Sequence, residues 1–108
     1  MKPAVLRPQA LRDQQGEVRH YRKEGGNRVA VKLVNATNAA LDQIELDPGI
    51  GSPTLGKLLG IPGLRTWGVA KFPLLWCYFE RGEQLDVVRL LGERHNIAAI
   101  LGEEFAPN

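Results

Sequence analysis

The sequence is short of several things that announce particular functions. Cys77 is its one cysteine, so no internal disulfide can form and nothing argues for an oxidising compartment. His20 and His95 are its two histidines, and with a single cysteine they cannot supply the ligands of a zinc site. No metal and no cofactor are expected. No apolar run approaches the ~20 residues of a membrane-spanning helix. The opening residues Met1-Lys2-Pro3-Ala4-Val5-Leu6-Arg7 lack the apolar stretch of a secretory signal. No membrane partner is expected, and the cytoplasm is the expected compartment. The glycines at 49, 51, 56, 60 and 63 do not make a phosphate loop, because the required G-x-x-x-x-G-K-[ST] is missing. Internal repeats and low-complexity tracts are missing too.

What remains is enough for one domain spanning residues 1–108. A chain of 108 residues with 44% hydrophobic side chains can form one real core, burying roughly 60–70% of the surface its unfolded form exposes. The net charge is only +2, but it is unevenly spread. Lys2, Arg7, Arg12, Arg19, Arg22, Lys23, Arg28 and Lys32 stand against Asp13, Glu17 and Glu24 in the front section, whereas residues 33–108 are slightly acidic. An acidic partner would find that front section. The total is nevertheless far from the balance of a dedicated nucleic-acid binder, so DNA is expected only indirectly, through a partner.

The pattern along the chain predicts an α+β fold. Ala4-Val5-Leu6, between Pro3 and Pro8, reads as an edge strand, where proline removes no ladder donor. Pro8 suits a helix first turn. From Gln9 to Glu24 the residues Leu11, Val18 and Tyr21, with Gln14, make a thin apolar helical stripe. Gly25-Gly26-Asn27 stops it. A second helix follows from about Arg28 to Leu46, with Val29, Leu33, Ala36, Ala40 and Ile44 on one face, widened by Val34, Thr37 and Leu41. It ends at Asp47-Pro48-Gly49, and the two helices form a hairpin. Residues 48–63 read as an internal loop, in which Lys57-Leu58-Leu59 is long enough for one helical turn.

Three runs follow, Leu64 to Ala70, Leu74 to Glu80 and Leu85 to Leu91, with connections short enough to demand an antiparallel meander. In the middle run Leu74, Trp76 and Tyr78 face one way and Leu75, Cys77 and Phe79 the other, so this strand should be covered on both sides. In the third, Leu85, Val87 and Arg89 should alternate with Asp86, Val88 and Leu90. Asn96 is a good N-cap for a short C-terminal helix through Ile97, Ala98, Ile100 and Leu101. Gly102 is the expected stop, with 103–108 as a loose tail in which Phe105 can tuck back on the sheet.

This order, a strand, a helical hairpin, a three-stranded meander and a short helix, resembles the ParE/RelE toxin superfamily. Asp47-Pro48-Gly49-Ile50-Gly51 is similar to that family's turn after its second helix. Pro62-Gly63-Leu64-Arg65-Thr66-Trp67 is similar to its PGLR string before the second strand. Val87-Val88-Arg89-Leu90-Leu91-Gly92-Glu93-Arg94-His95-Asn96-Ile97 is similar to its strand-to-helix exit, often R-V-L-H-x-R-R-D. Gly92, His95 and Asn96 depart from that string at positions where many members have His, Arg and Asp.

The resemblance implies a toxin of a bacterial type II toxin–antitoxin pair. Two chemistries compete within the superfamily: RelE-like members cut messenger RNA on the ribosome, and ParE-like members poison DNA gyrase without being nucleases. Cleavage by a 2′-OH needs an acid or base and cations at phosphorus. Here Pro73 stands where the RelE pattern has an arginine, no tyrosine occurs in residues 96–108, and only Arg94 matches. A non-enzymatic gyrase inhibitor is therefore the expected function, with a degenerate ribonuclease or an inactive antitoxin-binding module as alternatives. The expected partner is a ParD-like antitoxin, in a heterotetramer or larger assembly. Its acidic amphipathic helix would lie on Leu11, Val18 and Tyr21, rimmed by Arg12, Arg19, Arg22 and Lys23. The candidate toxic surface is Arg65, Trp67, Lys71, Arg89, Arg94 and His95. Cys77 reads as a core residue.

Overall fold

A computed structural model describes residues 1–105. Strand β1 (Ala4–Leu6) leads at once into helix α1 (Pro8–Leu46), with Pro8 in the first turn. Helix α1 is two arms rather than one rod, because Gly26 sits at φ 84° and ψ −179°. That left-handed region strains any residue with a Cβ. The arms fold back on each other: Gln14 Nε2 donates to Thr37 Oγ1 at 2.9 Å and to Asn38 Oδ1 at 3.2 Å. The expected hairpin and its glycine turn are both present.

Its buried face differs from the expected one. In the first arm Ala10 and Glu17 are fully covered, Val18 and Tyr21 only partly, and Leu11 is 46% exposed. In the second arm Ala30, Leu33, Thr37, Ala40 and Ile44 are buried, whereas Val29 and Ala36 are half-buried. The first stripe is turned by one residue, while in the second Leu33, Ala40 and Ile44 are buried as expected and Ala30 and Thr37 replace Val29 and Ala36; the reason is size. Ala10, Ala30 and Ala40 let the hairpin approach its neighbours closely, and Glu17 tolerates burial because Arg94 reaches it.

The sheet has the order β1-β4-β3-β2, with β2 (Arg65–Gly68), β3 (Leu74–Arg81) and β4 (Gln84–Gly92) as an antiparallel meander. β1 is an edge strand, as expected, and runs parallel to β4 through Ala4↔Leu85 and Leu6↔Val87. β3 is covered on both faces. Leu74, Trp76 and Tyr78 join Leu33, Ile44, Leu85, Val87 and Leu90 under the hairpin, while Cys77 and Phe79 join Ile61, Leu64, Val88, Leu91 and Leu101 on the other side.

In β4 strict alternation fails. The register shifts at Cys77/Tyr78, so that Cys77 pairs with Arg89 but Tyr78 with Val87, leaving Val88 as the extra residue. Such a bulge re-aims every later side chain. Leu90, not Arg89, therefore continues the face of Leu85 and Val87.

The 48–63 segment is more ordered than expected. It holds a 3-10 turn (Pro48–Ile50) and helix α2 (Thr54–Leu59), which extends the predicted turn back to Thr54. Buried Tyr78 pins the segment: its hydroxyl donates to Pro48 O at 2.7 Å and accepts the Gly51 N–H at 3.0 Å. A Cβ on Gly51 would lie 2.4 Å from that hydroxyl, so the close approach requires glycine. Helix α3 (Ile97–Phe105) starts as expected, with Asn96 Oδ1 accepting the Ala99 N–H at 3.1 Å. It does not stop at Gly102. The Phe105 ring lies edge-on to Phe79, with centroids 5.9 Å apart, so residues 103–105 of the predicted loose tail are helical and packed. The remainder of that tail, 106–108, lies outside the described residues. None of the described helices is long and apolar enough to cross a membrane.

Candidate functional site

An open groove of about 650 Å³ lies between the two arms of α1. Gln14, Gln15, Val18, Arg19 and Arg22 line it from the first arm, and Val34 and Asn38 from the second. Positions 14, 15, 18, 19 and 22 follow helical spacing, so one face of the first arm presents all five. Of the predicted antitoxin-binding residues, Val18, Arg19 and Arg22 line it and Lys23 is exposed nearby in sequence. Arg12 donates to Gln9 Oε1 at 3.0 Å. Tyr21 turns toward the core, edge-on to Phe72 at 5.2 Å. Gln14, Gln15, Val34 and Asn38, which the sequence reading does not assign to a binding surface, line the groove as well; the i, i+4 repeats of Gln14, Val18 and Arg22 and of Val34 and Asn38 are their mark in the sequence.

The predicted toxic residues do not form one cluster. Arg65 and Trp67 sit on β2, the edge strand far from β1. Arg65 Nη1 donates to the carbonyl oxygens of Gly51 at 2.6 Å and Gly49 at 3.3 Å, and Trp67 Nε1 donates to Gln43 Oε1 at 2.8 Å. Both are thus engaged with the segment that follows the hairpin and with the hairpin's second arm. Arg89, Arg94 and His95 lie on β4 and its exit, with β3 in between. Lys71 is in the β2–β3 turn at φ 68°. That turn neighbours the β4 exit, since Glu93 N–H donates to Pro73 O at 3.2 Å.

Charge pairing decides what these cations can do. Arg89 Nε and Nη2 grip the carboxylate of Asp13 at 2.7 and 3.2 Å, and Nη1 bonds Glu104. Hydrogen bonding to Asp13, first, raises the Arg89 pKa above its usual value, so the guanidinium is permanently charged and paired. Arg94 forms a two-pronged bond with Glu17 at 2.9 and 2.7 Å. His95 Nδ1 accepts the Gly92 N–H at 2.9 Å, so that nitrogen is already engaged. Asp86, which pairs with both Arg7 and Arg81, has its carboxyl held below the ordinary range, chiefly by the Arg7 hydrogen bond.

No three His, Cys, Asp or Glu side chains gather in a metal-binding arrangement among the described residues. Cys77 is fully buried, and burial pushes its thiol up to about 12. Only the thiolate attacks disulfides. The folded protein should therefore ignore dithiobisnitrobenzoate at about pH 8 and react once denatured. Rapid labelling of the native state would overturn this assignment of Cys77 to the core.

No protein-family model matches the chain, and the curated proteins contain no match. Among solved structures, a chain of the chromosomal ParDE TA system from P. aeruginosa superposes with a TM-score of 0.69 at 20% sequence identity, covering 83% of this chain and 96% of that one. At that identity the likeness speaks for the fold. The protein has the α+β, ParE-like fold, with the hairpin, the mixed four-stranded sheet and the C-terminal helix in the same arrangement.

Proposed function

We propose that the chain is the toxin of a ParDE-type toxin–antitoxin pair, that it inhibits DNA gyrase by binding rather than by catalysis, and that a ParD-like antitoxin neutralises it. The observation that carries the reading is the groove between the arms of α1, on a fold shared with a ParDE system. Val18 and Val34 give it apolar anchors, Gln14, Gln15 and Asn38 give hydrogen-bonding partners, and Arg19 and Arg22 give it a cationic wall. An amphipathic helix with acidic flanks is the occupant that meets all three requirements. The binding rather than nucleolytic mode is favoured by the state of Arg89 and Arg94. Each is already tied to carboxylates, so neither is free to neutralise charge developing on a phosphate.

Supercoiling by purified gyrase, with and without the protein, tests the toxic activity. Inhibition with trapped cleaved DNA is the expected result. Normal supercoiling with a folded preparation would reject gyrase as the target. The antitoxin contact has its own test. The Arg19→Glu/Arg22→Glu variant should slow antitoxin association by about tenfold or more at low salt, because rim charges act mainly on the encounter rate. An unchanged association rate with unchanged salt dependence would remove the groove from the interface.

A further inference from the structure

The tip of the α1 hairpin is a strongly charged surface, and the groove accounts for only two of its cations, Arg19 and Arg22. Arg19, Arg22, Lys23, Arg28 and Lys32 stand there against Glu24 alone, a balance of +4 in a chain whose net charge is +2. The rest of the molecule is therefore slightly acidic, and the protein is electrically lopsided. None of these five cations takes part in an ion pair among the described residues, whereas Lys2, Arg7, Arg81, Arg89 and Arg94 all do. Every residue from 22 to 28 is exposed, so the tip projects clear of the core.

We infer that this tip contacts the phosphate backbone of duplex nucleic acid, without reading its sequence. Two features select that partner over an acidic protein surface. Protein interfaces draw their affinity from a desolvated apolar or aromatic centre. The 22–28 stretch has no such side chain, and Val31, further along the second arm, is the exposed apolar residue nearest to it. Attraction at the tip is thus almost purely coulombic, which is the form that phosphate binding takes. Geometry then excludes base readout. Two helices side by side, with axes about 8–10 Å apart, are too wide for a major groove of about 12 Å that admits one helix. The arms can only track the backbone from outside.

This contact does not depend on which enzyme the toxin inhibits. Resting on the antitoxin reading above, it also has a consequence: Arg19 and Arg22 both line the groove and flank the tip, so a seated antitoxin helix would compete with nucleic acid.

Fluorescence anisotropy of the full chain with a duplex DNA of about 24 base pairs tests the inference at about 50 mM salt, where phosphate contacts are least screened. Binding should be indifferent to sequence and should weaken steeply with salt, with a log–log slope of about −3.6 to −4.5 for four or five phosphate contacts. The Arg22→Glu/Lys23→Glu/Arg28→Glu variant should bind at least tenfold more weakly and with a shallower slope. These positions are exposed, and an unchanged circular dichroism spectrum would verify the fold. Lys57→Glu, an exposed cation on α2, should bind as the parent does. Absence of binding by the parent chain, or equal binding by the triple variant, would overturn the inference. So would capture of polyglutamate with no binding of the duplex, which would assign the tip to an acidic polypeptide instead. Loss of gyrase inhibition with DNA binding intact would sink the proposed target and leave this contact standing.

Discussion

Arg94→Ala should destabilise the protein by about 3 kcal/mol, at the low end of the cost of stripping a buried charge of its partner. Glu17 is 3% exposed, and both of its carboxylate oxygens accept from Arg94, at 2.9 and 2.7 Å. Without the arginine an ionised carboxylate would remain buried, and only because Arg94 itself is partly exposed does the expected value sit no higher. For a domain of this size that cost corresponds to a fall in Tm of more than about 10 °C. Glu17→Leu/Arg94→Met should regain most of the loss, because an apolar pair of similar volume needs no desolvation of charge. Urea denaturation of the three proteins would measure both effects, and an Arg94→Ala protein as stable as the parent would refute the account. Any loss of activity in Arg94→Ala therefore reports on folding first, and only the double replacement can isolate a further role for the arginine.

The second large effect is expected at Trp76. Its side chain is fully buried in the centre of β3, opposite Leu90 and Trp67, and its Nε1 donates to Thr37 O at 3.0 Å. It is thus the bolt between the sheet and the second arm of the hairpin. Trp76→Ala should cost about 3–5 kcal/mol through lost burial and the cavity left behind. Trp76→Phe keeps most of the ring and loses the hydrogen bond, and should cost about 1–2 kcal/mol more than a volume-matched core exchange. Chemical denaturation separates the two. If alanine cost under about 1 kcal/mol, the hairpin could not be docked through this residue as described.

How legible all this was depended on the kind of signal. The hairpin turn was readable because Gly25-Gly26 interrupts two periodic segments, and β3 because apolar side chains on both faces admit only a doubly covered strand. The Asn96 cap was readable from local chemistry alone. What escaped was set by contacts between distant parts of the chain. The bulge at Val88 leaves no local mark, since valine fits any strand position, yet it moves Arg89 off the expected face. Glu17 looks like a surface residue until Arg94, far away in sequence, is brought to it. Small residues misled the helix faces, because a search for large apolar groups favours Leu11 and Val29 over Ala10 and Ala30. The candidate toxic residues lie along a meander whose middle strand, β3, separates them in space.

The carboxylate of Asp13 ties the hairpin to the last strand. β1 ends at Leu6, and further along β4 the N–H of Leu90 is taken by Asp13 Oδ2 at 3.0 Å, the same carboxylate that holds Arg89. A backbone donor of the last strand is therefore shut off from solvent by a side chain of the first helix rather than by another strand. Opening that amide requires the Asp13 carboxylate to leave it, so its exchange rate should follow undocking of the first arm. Fraying of the sheet edge should leave it untouched. An occupant seated between the arms would register there as slower exchange if it clamps the hairpin down and as faster exchange if it pries the hairpin loose.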